Sequence, residues 1–280
     1  MKKSDILKIT EEYGLAPNKK FGQNFLINDA VIQKIVDSCS PDGLSILEIG
    51  PGLGSISVPL VQRVRSYTAV EIDSGFVRYL ADIFPDGEDS ELSRKVRVIH
   101  DDFLKSDIED VFDVIVSNLP YYCASEILFR IAKNFTAEKI FVMMQKEMAE
   151  RVIAAPGSET YGALTVTLSY YFSSKILFHI PGECFYPKPD VKSSFLQLLR
   201  KPRFFTLPEH EEMFHLIVKS VFWGRRKTLL KSLTDSPHLE MKRDAVENIL
   251  QICGIRPDVR GEKLSLDEFI KLTEGVIRNQ

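Results

Sequence analysis

The chain is predicted to fold as an α/β protein, a doubly wound, mostly parallel seven-stranded sheet, followed by a small C-terminal helical domain. Three observations predict this. Apolar strand-like runs alternate with amphipathic helical patterns from about residue 28 to 145, the pattern of helices packed on both faces of a parallel sheet. A glycine-rich loop, Gly50-Pro51-Gly52-Leu53-Gly54, follows the first run directly. Beyond Pro202 and Pro208 the strand-like runs stop and only helical periodicity remains.

Taken in order, the predicted strands are Leu44–Ile49, Tyr67–Ile72, Val96–Ile99, Phe112–Ser117 and Ile140–Met144, each too short and apolar for an exposed helix. Between them Val31–Cys39, Phe76–Phe84 and Ser125–Ala132 carry apolar residues at helical spacing. Lys175–Ile180 and Ser194–Leu199 flank a proline-rich loop and are expected to close one sheet edge as a hairpin, completing seven strands. Glu209–Val221, Thr228–Leu233, Lys242–Cys253 and Ser265–Val276 read as helices. The expected domains are therefore 1–202, opened by a basic segment at 1–27, and 203–280.

Composition excludes several classes of function. No apolar run approaches the ~18 residues that span a membrane, and the charged start contains no secretory apolar core, so a cytoplasmic location is expected. Four cysteines lie far apart and five histidines show no ligand spacing; neither a disulfide framework nor a metal site is expected. Net charge is −3, but Lys219, Arg225, Arg226, Lys227 and Lys231 lie within thirteen residues that contain no acid. A local basic face of this kind suits phosphate, although it also reads as an ordinary solvated surface. Nothing in the sequence calls for more than a monomer.

The residues that carry chemistry fall at the ends of consecutive strands. In an open α/β sheet ligands bind beyond the carboxyl ends of the strands. Glu48 and the glycine loop end the first; the spacing is G-x-G-x-G, which supports dinucleotide binding only weakly. Beside a pyrophosphate Glu48 is unfavourable, whereas beside a cationic ligand it is harmless or helpful. Glu71 ends the second strand 21 residues after Gly50, where an acid takes the ribose hydroxyls of a nucleotide. Asp101-Asp102 follow the third, positioned to accept an adenine amino group. Asn118-Leu119-Pro120-Tyr121 closes the fourth. That tetrapeptide suits methylation of an exocyclic amine on a nucleobase. The amine's lone pair is delocalised into the ring; Asn118 and the Leu119 carbonyl would accept its two N–H bonds and localise the pair, while Tyr121 stacks on the extruded base. Each feature alone also has a bland reading: a proline turn, a helix-capping acid, a plain glycine loop. Four in register do not.

With these residues in view the sequence resembles the small-subunit ribosomal RNA adenine N6,N6-dimethyltransferases, over nearly its whole length. The resemblance rests on Lys20-Phe21-Gly22-Gln23-Asn24-Phe25-Leu26, Glu48 to Gly54, Glu71 with Asp73, Asp102, Asn118 to Tyr122, Gln145 to Arg151, the Phe185-Tyr186-Pro187-Lys188-Pro189-Asp190-Val191-Lys192-Ser193 loop and Arg225-Arg226-Lys227-Thr228. It implies a Rossmann-like class I fold that uses S-adenosylmethionine (SAM) to dimethylate N6 of two adjacent adenosines near the 3′ end of 16S rRNA, within the immature 30S subunit. It also implies cofactor contacts from Gln23, Asn24, Leu26, Glu48, Gly50, Gly52, Glu71, Asp102 and Asn118, with Asp102 preferred to Asp101 because Asp102-Phe103-Leu104 fits the family's pattern. Gln23 and Asn24 would hold the methionine end of the cofactor. Phe185 would form a second aromatic wall opposite Tyr121, core burial being its alternative. Arg225, Arg226 and Lys227 would contact RNA phosphates, and Trp223 is expected to pack rather than stack on RNA. Three other functions compete for the same pattern: a large-subunit rRNA adenine dimethyltransferase, a DNA adenine methyltransferase, disfavoured because no separate base-reading domain is visible, and a non-catalytic RNA-binding assembly or transcription factor on the same fold.

Overall fold

A computed structural model describes residues 3–15, 24–85, 91–224 and 226–279. Its strands are β1 (Phe25–Leu26), β2 (Ser45–Ile49), β3 (Ser66–Glu71), β4 (Val96–His100), β5 (Val114–Asn118), β6 (Lys139–Gln145), β7 (Phe172–Ile180), β8 (Phe185–Tyr186) and β9 (Ser193–Arg200). Seven of them form one sheet in the order β4-β3-β2-β5-β6-β9-β7. β4, β3, β2, β5 and β6 run parallel, and β9 pairs antiparallel with β6.

The sequence dictates this arrangement through burial on both faces. β2 is buried at all five positions, and β5 and β6 are buried through their centres. A strand covered on both sides needs a continuous apolar run rather than alternation, and helix crossovers supply that cover. The helices Asp29–Cys39 and Ser74–Ile83 contribute Ile35, Val36 and Leu80 to a core that holds Ile46, Val114, Val116, Phe141 and Met143 from the sheet. All five parallel strands fall within two or three residues of the predicted runs. β7 and β9 are neighbours at one edge, where the predicted pair was expected.

Two features had no legible signal, and a third lies in the amphipathic, charged start of the chain. The helix Ala163–Tyr171 buries six of its residues around its circumference, so no polar stripe reveals its period. β1 and β8 are two residues each and pair only with one another, Phe25 opposite Tyr186 and Leu26 opposite Phe185. The helix Lys3–Glu12, inside the predicted basic segment, buries Ile6 and Thr10.

The chain divides into two compact units, Met1–Ala149 with Ser174–Arg200, and Glu150–Ser173 with Lys201–Gln280. The segment 150–173, which includes the unrecognised helix, groups with the C-terminal unit, whereas sequence placed the division at 202/203. The second unit contains the helices Pro208–Val221, Leu229–Thr234, Arg243–Cys253 and Leu266–Arg278. Ser265 and Glu268 form a capping box on the last, with Ser265 Oγ accepting from Glu268 N at 3.3 Å and Glu268 Oε2 accepting from Ser265 N at 2.8 Å.

Candidate active site

β2 lies between β3 on one side and β5 on the other, so chain connections leave it in opposite directions and open a crevice at the sheet's carboxyl edge. A cleft of about 900 Å³, including space open to solvent, occupies that position.

The glycine loop forms its floor. Gly50 and Gly52 have φ of 67° and 56°, a region that costs side chains roughly 1 kcal/mol or more. A Cβ on Gly52 would also meet the Phe25 ring at 3.4 Å. Glycine at these positions lets the loop take this path and bring its backbone close to the cleft.

Glu71 fixes the loop from the end of β3. Its Oε2 accepts from Gly52 N at 3.0 Å and its Oε1 from Asp73 N at 2.9 Å. Burial raises its pKa, and the backbone N–H bonds oppose the rise. The helix-capping task falls instead to Asp73, whose Oδ1 accepts from Gly75 N at 2.8 Å. Glu71 is thereby left as a ligand-facing carboxyl on the cleft wall.

Glu48 is 2% exposed, and its Oε2 accepts from Tyr67 OH at 2.6 Å and Ser57 Oγ at 2.8 Å. Burial lifts its pKa to about 7, with the hydroxyl bonds pulling down and the charge of Glu71 pushing up. Glu48 and Glu71 both line the cleft, and no lysine or arginine lines it among the described residues. Such a cleft suits a cationic or neutral ligand and opposes a pyrophosphate.

β5 delivers Asn118. Ser117 Oγ donates to Ile49 O at 2.7 Å, joining the ends of β5 and β2, and Leu119 N donates to Met143 O at 2.9 Å. Asn118 Nδ2 donates to Asn24 O at 3.3 Å, which orients the carboxamide. Leu119, Pro120 and Tyr121 line the same cleft as Asn24, Leu26, Gly50 and Gly52.

Of the residues expected at the site, Asn24, Leu26, Glu48, Gly50, Gly52, Glu71, Asn118, Leu119 and Tyr121 are thus brought together. Asp102 sits just beyond β4, outside the cleft lining; its Oδ1 accepts from Leu104 N at 3.0 Å and Lys105 Nζ lies 3.6 Å from Oδ2. Phe185 departs from the expected second aromatic wall. It is 3% exposed and packs in the core with Leu26, Cys184 and Phe195, because its strand pairs with β1. Gln23 and Arg225 lie outside the described residues. In the second unit Arg226 is exposed, whereas Lys227 Nζ donates to Asp235 Oδ2 at 2.9 Å. Trp223, expected to pack, is 54% exposed and touches His238 edge-on. Residues that sequence reasoning did not assign to the site also line it: Phe25, Ile72, Phe76, Tyr122 and Met143. Ile72 was findable as the apolar residue after the strand-end acid. Phe76 and Met143 read only as core. Among the described residues no group of three or more His, Cys, Asp or Glu is placed to hold a metal, and no helix is long and apolar enough to cross a membrane.

The strand order, with β9 reversed against β6, the glycine loop and the acid at the end of β3 define a class I SAM-dependent methyltransferase. The family profile described as "Ribosomal RNA adenine dimethylase" matches residues 14–276. Curated relatives include "Ribosomal RNA small subunit methyltransferase A" from Anoxybacillus flavithermus, 35% identical over 279 residues (95% of this chain, 92% of that protein). The protein of the same name from Streptococcus pneumoniae strain P1031 is 36% identical over 280 residues (96% and 94%). The chain belongs to the ribosomal RNA adenine dimethylase family. Among solved structures, a dimethyladenosine transferase from Plasmodium falciparum aligns with a TM-score of 0.74 at 22% identity, covering 89% of this chain and 95% of that one. The 23S rRNA methyltransferase ErmE aligns at 0.66 and 24% identity, covering 91% and 100%; both are likenesses of fold.

Proposed function

We propose that this protein dimethylates N6 of two adjacent adenosines near the 3′ end of 16S rRNA, acting as a monomer on the immature 30S subunit in the cytoplasm. The observation that carries the reading is the meeting of Asn118-Leu119-Pro120-Tyr121 with the glycine loop and Glu71 in one cleft.

The residues fit SAM. Gly50 and Gly52 would let backbone approach it, Glu71 would take its ribose hydroxyls and Asn24 its methionine end; by the family resemblance Gln23 would join Asn24, and Asp102, on the loop after β4 beside the cleft, would take the adenine amine. The carboxyls of Glu48 and Glu71 suit its positive charge. When bound, it supplies an electrophilic methyl on sulfur.

The remaining work belongs to this chain's residues. With Nδ2 held by Asn24 O, the Asn118 carboxamide would keep Oδ1 as an acceptor for the target amine. Together with the Leu119 carbonyl it takes both N–H bonds of the target amine, drawing the lone pair back onto nitrogen. Tyr121 stacks on the flipped base, a contact worth ~1–3 kcal/mol. No strong base is required, since the methylated nitrogen readily sheds its proton; alignment and carbonyl dipoles lower the barrier. Arg225 and Arg226, joined by Lys227 where Asp235 yields it, would hold RNA phosphates and position the substrate without reading sequence.

The test is transfer of tritiated methyl groups to immature small subunits, naked large-subunit RNA and duplex DNA in parallel. Label confined to small-subunit RNA is expected. Label on large-subunit RNA or DNA alone, or on none of the three, would refute the assignment.

A further inference from the structure

Two large apolar side chains on the cleft wall remain largely open: Ile72 at 50% exposure and Tyr122 at 60%. They stand on opposite sides of the glycine loop, one following β3 and the other following β5. Leu26, Ile56, Phe76, Leu119 and Met143, which share the lining, are buried. Two exposed apolar surfaces facing one crevice are what a flat aromatic ring needs, one for each face.

The loop after β4 determines which ring. Lys105 N and Ser106 N both donate to Asp102 O at 2.8 Å, closing a turn. Arg130, on the helix Ala124–Asn134, donates to Leu104 O at 3.1 Å and also to Ser106 O. Phe103 stacks on Phe135, with ring centroids 5.5 Å apart. The loop carrying Asp102 is therefore clamped to the helix whose N-cap, Cys123, follows Tyr122. Asp102 and Tyr122 share one rim although their strands are not neighbours. The Tyr122 hydroxyl senses this arrangement: its pKa is pushed up to about 12 by burial first, then by Cys123, and also by the carboxylates of Asp102 and Glu71. Tyr122 lines the cleft and is exposed there.

We infer that Tyr122 is the aromatic cover of the cofactor's adenosine, lying over the purine on the face opposite Ile72. The assignment rests on the SAM site described above and adds to it a residue that sets affinity for the adenosine end. Tyr121 and Tyr122 then divide their work by exposure. The half-buried Tyr121 meets the target base beside Asn118, and the open Tyr122 closes on the purine of the donor.

Calorimetric titration of Tyr122→Phe, Tyr122→Leu and Tyr122→Ala tests this, using S-adenosylhomocysteine and 5′-methylthioadenosine, which lacks the amino-acid end. The phenylalanine variant should bind both within about twofold of the parent. The leucine and alanine variants should lose about tenfold for both ligands, by the same factor, because the shared purine is what they no longer cover. Leucine keeps the apolar bulk, so its loss separates stacking from a damaged fold. A loss seen with S-adenosylhomocysteine alone would place Tyr122 at the other end of the cofactor and overturn the inference. So would unchanged binding of both ligands with weakened binding of a 16S 3′-end RNA, which would put the ring against RNA. Failure of the parent protein to bind S-adenosylhomocysteine would overturn the cofactor site itself, a different result from either.

Discussion

Asn118 and Glu71 do different work, and their substitutions should separate accordingly. Asn118→Ala removes the acceptor aimed at the target amine and leaves the glycine loop untouched; methyl transfer should fall by at least ~10²-fold while the melting temperature stays near that of the parent. Glu71→Ala removes the carboxyl that holds Gly52 N and Asp73 N. It should weaken S-adenosylhomocysteine binding tenfold or more, corresponding to ~1.5–3 kcal/mol of charge-assisted hydrogen bonding, and calorimetry reads this directly. Glu48 links the site to stability. Its pKa is about 7 in the fold against an ordinary 4.5, so the folded state holds a proton that the unfolded chain releases between those values. Stability is therefore greatest below pH 4.5 as far as this group is concerned, and declines as pH rises towards 7, by ~3 kcal/mol in all. Glu48→Gln, which stays neutral, should flatten the dependence of denaturation midpoint on pH across that window; an unchanged slope would show that the carboxyl is ionised at lower pH.

At the scale of elements, the two-residue pair β1–β8 matters out of proportion to its length. It brings Phe25 to the glycine loop, where the ring lies against Gly52, and buries Phe185 beside Leu26. Phe185→Ala should cost ~3–5 kcal/mol in chemical denaturation through the cavity it leaves. An aromatic wall at the active site would instead show as a lost catalytic rate with stability intact. The sequence drew attention to Phe185 through its proline-rich loop, but long-range strand pairing determines which way it faces. The helix Ala163–Tyr171 was missed for a related reason, since a helix buried all round shows no periodic contrast to read.

For the molecule as a whole, a net charge of −3 coexists with a basic stretch, and the structure differentiates its members. Arg226 is exposed, while Lys227 is already paired with Asp235. Arg226→Ala should weaken RNA binding and reduce the slope of log K against log salt by ~0.7–0.9, as expected for one lost phosphate contact. Asp235→Asn should strengthen RNA binding modestly by releasing Lys227; a filter-binding salt series measures both. The strand-end chemistry was legible in advance because it depends on local facts: an apolar run ends, and a polar residue stands at the sheet's carboxyl edge. By itself the sequence determined the α/β order, the glycine loop, and the identities of Glu71 and Asn118, since each is set by short-range pattern and conformational preference. Tertiary structure alone decided that Phe185 is core, that residues 150–173 group with the C-terminal unit, and that Tyr122 opens onto the cleft. Burial and neighbourhood arise from contacts between residues far apart in the chain, and no local pattern records them.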